Sequence, residues 1–268
     1  MKILVPTDFS ENANNALTFA KHMAKSQGEV QITLLFAFYA VYDFASNVAQ
    51  IVDSIESDAK KAMKRAVELA LDEGLQIDYK ILQGTVSSTI TSMAYREDYD
   101  LIIMGTQGAN GINKTLFGSN TAHVIKESQV PVISVPNEAK WEHISKIVVG
   151  SELDQAESKF YKKLLKITSK LLFPYEFVHV DFDRNQEFQP NFEALENQLR
   201  AFSSSISFIT KTIQADAVLT GIEESLSNKY DALLVMFYKK KSFFEYLFDE
   251  SDSVKMLYHT HLPLLILK

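Results

Sequence analysis

Short apolar runs alternate along this chain with longer stretches in which apolar residues recur every three or four positions. That alternation predicts buried parallel strands joined by helices. Ile3 to Pro6 reads as the first strand. Ser10 is placed to cap the helix that follows, Glu11 suits its first turn, and Ala13, Ala16, Leu17, Ala20 and Ala24 mark its inward face. A second strand, Ile32 to Phe38, leads to a long helix from about Val48. Its apolar face reads Ile51, Ile55, Ala59, Ala62, Ala66 and Leu69, and it ends near Gly74. Ile77 to Leu82 is the third strand, Val86 to Tyr95 a shorter helix, and Leu101 to Met104 the fourth strand. A glycine-containing loop, a helix from about Ser119 and a last strand, Val132 to Val135, bring the count to five strands and four helices.

The pattern then starts again. Lys2-Ile3-Leu4-Val5 returns as Lys146-Ile147-Val148-Val149, and Tyr99-Asp100-Leu101-Ile102-Ile103-Met104 as Tyr230-Asp231-Ala232-Leu233-Leu234-Val235-Met236. Val130-Pro131-Val132-Ile133 returns as Leu262-Pro263-Leu264-Leu265. The offset falls from 144 at the first strand to 132 at the last, so the second copy is shorter, and its second helix is where the shortening is expected. Two domains follow, residues 1–138 and 144–268, joined through Pro136 to His143, which holds the sole tryptophan, Trp141. The expected fold class is α/β: two tandem open parallel five-stranded sheets with helices on both faces, Rossmann-like.

Composition narrows the function classes. With 268 residues, 46% hydrophobic and 23% charged, the chain is globular and needs no staples. The absence of cysteine excludes disulfides, thiolate metal sites and a cysteine nucleophile, and suits a cytoplasmic, reducing setting. A net charge of -7 lacks the basic excess of a nucleic-acid binder. Met1 to Asp8 turns acidic too soon for a signal peptide, and no apolar run approaches the roughly 20 residues of a membrane helix, so no membrane partner is expected.

Candidate chemistry concentrates in one place. Four of the nine glycines, at 105, 108, 111 and 118, lie between the fourth strand and the next helix. Such a loop lets backbone approach a ligand closely, and a helix start offers free N–H groups to an anion; a tight turn is the plainer alternative. It is neither a Walker A loop nor the Gly-x-Gly-x-x-Gly of dinucleotide folds.

Gly105-x2-Gly108-x9-Gly118-Ser119 resembles the nucleotide-binding signature of the universal stress protein family. Val5-Pro6-Thr7-Asp8 after the first strand, Leu34-Leu35-Phe36-Ala37 in the second, Gly84 after the third and the Val130-Pro131-Val132 step resemble the family as well. The resemblance spans the chain as two tandem copies and implies an adenine nucleotide alpha hydrolase-like fold with ATP, and with it Mg²⁺, in the first copy. Pro6, Thr7 and Asp8 would lie against adenine and ribose, with Ala37 against the base and Met104 covering one side of the nucleotide. Gly105, Gly108, Gly118, Ser119 and Asn120 would surround the phosphates. Asp8 suits ribose hydroxyls or a phosphate-bound metal ion, and equally a local helix cap; Met104 is also the last core residue of its strand. Lys114 adds charge near the phosphates or is simply solvated. Ala37 stands where the family has a larger aliphatic side chain.

In the second copy an offset of 132 puts Phe237, Lys240, Glu250 and Ser251 at the places of Gly105, Gly108, Gly118 and Ser119. Bulk at 237 and acid at 250 both oppose phosphate, while Glu152 and Gly150 stand at Asp8 and Pro6. One nucleotide per chain is the expectation. Lys239, Lys240 and Lys241, flanked by Phe237, Tyr238, Phe243 and Phe244, offer another anion or nucleic acid a contact, but acids follow at once and a solvated face is the simpler reading. His259 and His261 lack a third metal ligand, and His123 suits an exposed helix position. No serine triad or Gly-x-Ser-x-Gly elbow occurs, and no base or arginine finger is evident for fast hydrolysis. Two functions stay open: an ATP-responsive regulatory protein of the stress response, or a nucleotide-free interaction module of the same fold. The last strands, Val132 to Val135 and Leu264 to Ile266, resemble edge strands that pair in this family and are expected to join the two copies within one chain; a homodimer of such tandem chains and an unidentified regulatory protein partner complete the expectations.

Overall fold

Strands that are apolar without alternation need cover on both faces, and helices from the crossover connections supply it. The computed structural model describes residues 1–39, 48–106, 118–153, 157–181, 192–226, 231–238 and 262–268, with backbone alone at 48, 49 and 219. It divides into two compact units, Met1–Asn137 and Glu138–Lys268.

The first unit holds β1 (Lys2–Pro6), β2 (Gln31–Phe38), β3 (Ile77–Gln83), β4 (Leu101–Gly105) and β5 (Val132–Val135), in the order β3-β2-β1-β4-β5 and all parallel. Every residue of β4 and β5 is buried, as are Ile3 to Pro6 of β1. Helix α1 (Glu11–Gln27) starts at Ser10, whose hydroxyl accepts from the Ala13 N–H at 3.2 Å. Its inward stripe is Ala13, Ala16, Phe19, Ala20, Met23 and Ala24. Leu17, expected inward, is only half-buried because the stripe centres on Ala16, Ala20 and Met23 and leaves position 17 on its flank.

Helix α2 (Val48–Asp72) corrects the expected face further. Ala59, Met63 and Ala70 are buried, while Ile51 and Leu69 are 59% and 53% exposed. At about 1.5 Å per residue a 25-residue helix outruns an 8-residue strand of about 3.3 Å per residue, so the sheet cannot cover its full length. Leu69 lies one helical step to the side of buried Ala70. Gly74, at φ +78°, ends the helix: its N–H bonds the Leu71 carbonyl and the Leu75 N–H bonds that of Ala70, both at 2.9 Å. Helices α3 (Val86–Arg96) and α4 (Ser119–Glu127) complete this unit.

The second unit repeats the scheme with β6 (Lys146–Gly150), β7 (Tyr175–Asp181), β8 (Phe208–Gln214), β9 (Ala232–Phe237) and β10 (Leu264–Leu267). Their order, β8-β7-β6-β9-β10, matches that of the first unit. Even single hydrogen bonds recur: Ile102 N–H to Pro131 O at 2.9 Å and Leu234 N–H to Pro263 O at 3.0 Å, Thr7 N–H to Leu35 O at 2.8 Å and Ser151 N–H to Val178 O at 3.0 Å. The shortening lies in one crossover. β2 and β3 begin 46 residues apart (31 to 77), β7 and β8 33 apart (175 to 208), and α2 has 25 residues against 11 in α6 (Phe192–Phe202). Helices α5 (Ser158–Thr168) and α7 (Val218–Leu226) belong to this unit, as does Trp141, buried with its ring 5.8 Å from that of Phe173. Among the described residues no helix is long and apolar enough to cross a membrane.

Candidate nucleotide site

In the first unit β1 lies between β2 and β4, so successive crossovers leave it in opposite directions. Such a switch point opens a crevice at the carboxyl ends of the strands. The described candidate residues lie at that end, in a graded series. Pro6, Ala37, Met104 and Gly105 are buried, Thr7 and Gly118 half-buried, and Asp8, Ser119 and Asn120 exposed. Gly108, Gly111 and Lys114 lie outside the described residues, as do Lys239 to Lys241, Phe243, Phe244, Glu250, Ser251, His259 and His261. His123 is an exposed residue of α4. Among the described residues no three metal-ligating side chains cluster.

The turn from β1 to α1 is held by its own polar side chains. Phe9 N–H donates to Thr7 Oγ1 at 2.9 Å and Ser10 N–H to Asp8 Oδ1 at 3.0 Å. Ser10 caps the helix, so Asp8 is not the cap. Phe9 sits at φ +62°, a left-handed conformation costing about 1 kcal/mol, and its ring stacks 5.1 Å from Phe36, which stacks 5.8 Å from Phe38.

Beside this turn, β2 continues three residues past its last β1 partner, Leu35 opposite Pro6. Leu35 presents its carbonyl to Thr7 N–H, whereas the Phe38 carbonyl accepts from Gly84 N–H on the β3 side. Alternation therefore turns the main-chain N–H and C=O of Ala37 toward the edge that β1 has left. A donor and an acceptor stand side by side there.

The β4–α4 connection is closed at its neck. Gly118 N–H donates to Thr106 O at 2.6 Å, and Thr121 Oγ1 donates to Gly105 O at 2.8 Å inside the protein. Gly118 precedes α4 in extended backbone, φ -61°, and gives no side-chain cap. The first-turn N–H groups of α4 have no carbonyl within the helix to bond. Gly105 serves a different end: a Cβ there would come within 2.3 Å of Asn12 Oδ1 and 3.1 Å of the Asn12 carbonyl carbon. Asn12 is itself buried and donates to Val135 O at 3.1 Å, so the glycine makes room for α1. Met104 is 6% exposed, the placement of a strand's core residue. Nothing in the sequence marks Phe9 or Thr121, whereas an asparagine next to Ala13 and four residues before Ala16, on the expected inward stripe, was the available signal for Asn12.

The same place in the second unit is built from other groups. Leu153, at φ +57°, donates to Ser151 Oγ at 3.0 Å, repeating the Phe9 turn. Glu157, 1% exposed, accepts from Glu152 N–H at 3.0 Å, Leu153 N–H at 3.1 Å, the Tyr161 hydroxyl at 2.9 Å and the Ser151 hydroxyl. A carboxylate of the chain itself thus takes the donors of this turn. Phe237, in the place of Gly105, stacks 5.1 Å from Phe160, which stands where α1 has Ala16, and lies 5.5 Å from Tyr161. The bulk expected to bar a phosphate instead points into the helix–sheet interface, because this glycine position faces the helix and not the crevice.

Comparison with known proteins gives these features a context. The model of the universal stress protein family matches residues 1–136. Universal stress protein MJ0531 of Methanocaldococcus jannaschii is 31% identical over 147 residues, covering 52% of this chain and 84% of the relative. Universal stress protein MJ0577 of the same organism is 31% identical over 152 residues, covering 50% and 93%. The solved structure of a universal stress protein from Archaeoglobus fulgidus DSM 4304 superposes with a TM-score of 0.77, covering 100% of this chain and 98% of that chain at 18% identity, a likeness of fold.

Proposed function

The chain belongs to the universal stress protein family, and from that premise we propose that its first unit binds ATP with Mg²⁺, one nucleotide per chain, as a regulatory ligand in the stress response. The convergence of three kinds of group on one crevice carries this reading. The paired donor and acceptor of Ala37 suit an adenine edge, which offers an acceptor ring nitrogen beside a donor amino group. The amino end of α4 favours phosphate through its open N–H groups and dipole. Asp8, exposed at the turn, suits ribose hydroxyls or the metal ion that accompanies phosphates. A methyl group at position 37 gives the base less apolar cover than a larger side chain would.

Nucleotide acts in this reading as a ligand, with slow hydrolysis at most. The second unit, whose turn donors are held by Glu157, serves as a nucleotide-free interaction module for a regulatory protein partner. The working form is a cytoplasmic homodimer of tandem chains. Mass spectrometry of ligand released from the denatured, purified protein is expected to find ATP or ADP, and titration of emptied protein with Mg-ATP to give a stoichiometry near one. An empty protein that takes up no Mg-ATP, or a Gly118→Glu variant that binds as well as the parent, sinks the reading.

A further inference from the structure

Because the two units share one turn geometry after their first strands, α1 and α5 can be compared position by position at an offset of 144. Where α1 presents Asn15, Thr18, His22 and Ser26, the second unit has Lys159, Lys162, Lys166 and Lys170, and Lys163 joins them. At about 100° per residue these five lysines fall within one arc of about 100°, over about 16 Å of helix and its terminal turn. All five are exposed, opposite a core-facing side of Phe160, Tyr161, Leu164, Leu165 and Ile167. No acidic residue occurs from Ser158 to Tyr175. Lysines three and four apart repel one another, and an external anion relieves that repulsion. Lys163 also donates to the Lys268 carbonyl.

A second observation lies at the end of the same segment. Gly28 closes α1 at φ +87°, a conformation glycine adopts freely. Its counterpart is Leu172, held at φ +58° and 88% exposed, next to half-buried Phe173. A leucine here bears both left-handed strain and full contact with water.

We propose that α5 and its carboxyl end form a docking surface for an anionic lipid bilayer, the lysines meeting head groups and Leu172 entering the acyl boundary. Lysine is depleted in protein interfaces, and Ser158 to Phe173 holds none of the arginine forks that read nucleic acid. Mobile head groups need only point charges, and a protruding aliphatic side chain gains where apolar chains begin. This surface mode needs no membrane-crossing helix. It stands independently of nucleotide binding.

The test is co-sedimentation of the full chain with phosphatidylcholine vesicles containing or lacking phosphatidylglycerol. Binding is expected with the anionic vesicles alone, falling with added salt, and a Lys162→Glu/Lys166→Glu variant should partition at least about tenfold less. Leu172→Gly relieves the strained position, so it should melt no lower than the parent yet bind vesicles more weakly. Failure to bind the anionic vesicles, unchanged binding by both variants, or tighter binding to duplex DNA or polyglutamate than to vesicles overturns the proposal.

Discussion

Single residues at the candidate site are committed to contacts that composition does not show. Gly105 is the clearest: Asn12 occupies the space its Cβ would need, and that asparagine is pinned by its bond to Val135 O. Gly105→Ala is expected to lower unfolding free energy in urea by about 1–3 kcal/mol, and pairing it with Asn12→Ala should recover part of that loss. Thr121 makes a different kind of commitment, since its hydroxyl serves the buried Gly105 carbonyl. Thr121→Val keeps the shape and strands that acceptor, at a cost of about 1–2 kcal/mol by the same measurement.

Between elements, the carboxyl end of α2 is tied to α1 by charge. Glu73 accepts from Lys21 and, at 3.3 Å, from Lys25. The Lys21 hydrogen bond, helped by the charges of both lysines, holds the Glu73 carboxyl below its usual range. A carboxyl whose pKa is lowered on folding contributes stability that is present above its ordinary pKa of about 4.5 and lost as pH falls through the lowered value. Replacing Glu73 with Gln should therefore flatten the fall of Tm below about pH 5 and leave a small deficit at neutral pH, because the pair is partly exposed. The second unit has serines, Ser203 to Ser205, at the corresponding point before β8. No carboxylate stands at that point among the described residues.

On the scale of the whole chain, two copies of one topology have diverged in what fills their turns. Glu157 accepts four hydrogen bonds in a buried position, and Glu157→Ala should cost about 2–4 kcal/mol by leaving those donors unpaired. Calorimetry on that variant should still find one Mg-ATP per chain, because the residue belongs to the unit proposed to be empty.

The sequence by itself determined the repeat, the strand and helix positions of the first copy to within a residue or two, and the placing of Pro6, Thr7, Asp8, Ala37, Met104, Gly105, Gly118, Ser119 and Asn120 at the carboxyl ends of its strands. Apolar runs and helical periods are local signals, and a parallel order with a switch point at β1 sends every one of those segments to the same end of the sheet. Only the tertiary structure decided which way each side chain serves. Gly105 proved to yield to Asn12, Phe237 to pack on Phe160, and Ala37 to turn its main-chain N–H and C=O toward the edge that β1 has left, because each outcome depends on what another segment places opposite. Residues 12 and 105 are far apart in sequence, and no periodicity within either segment encodes their meeting.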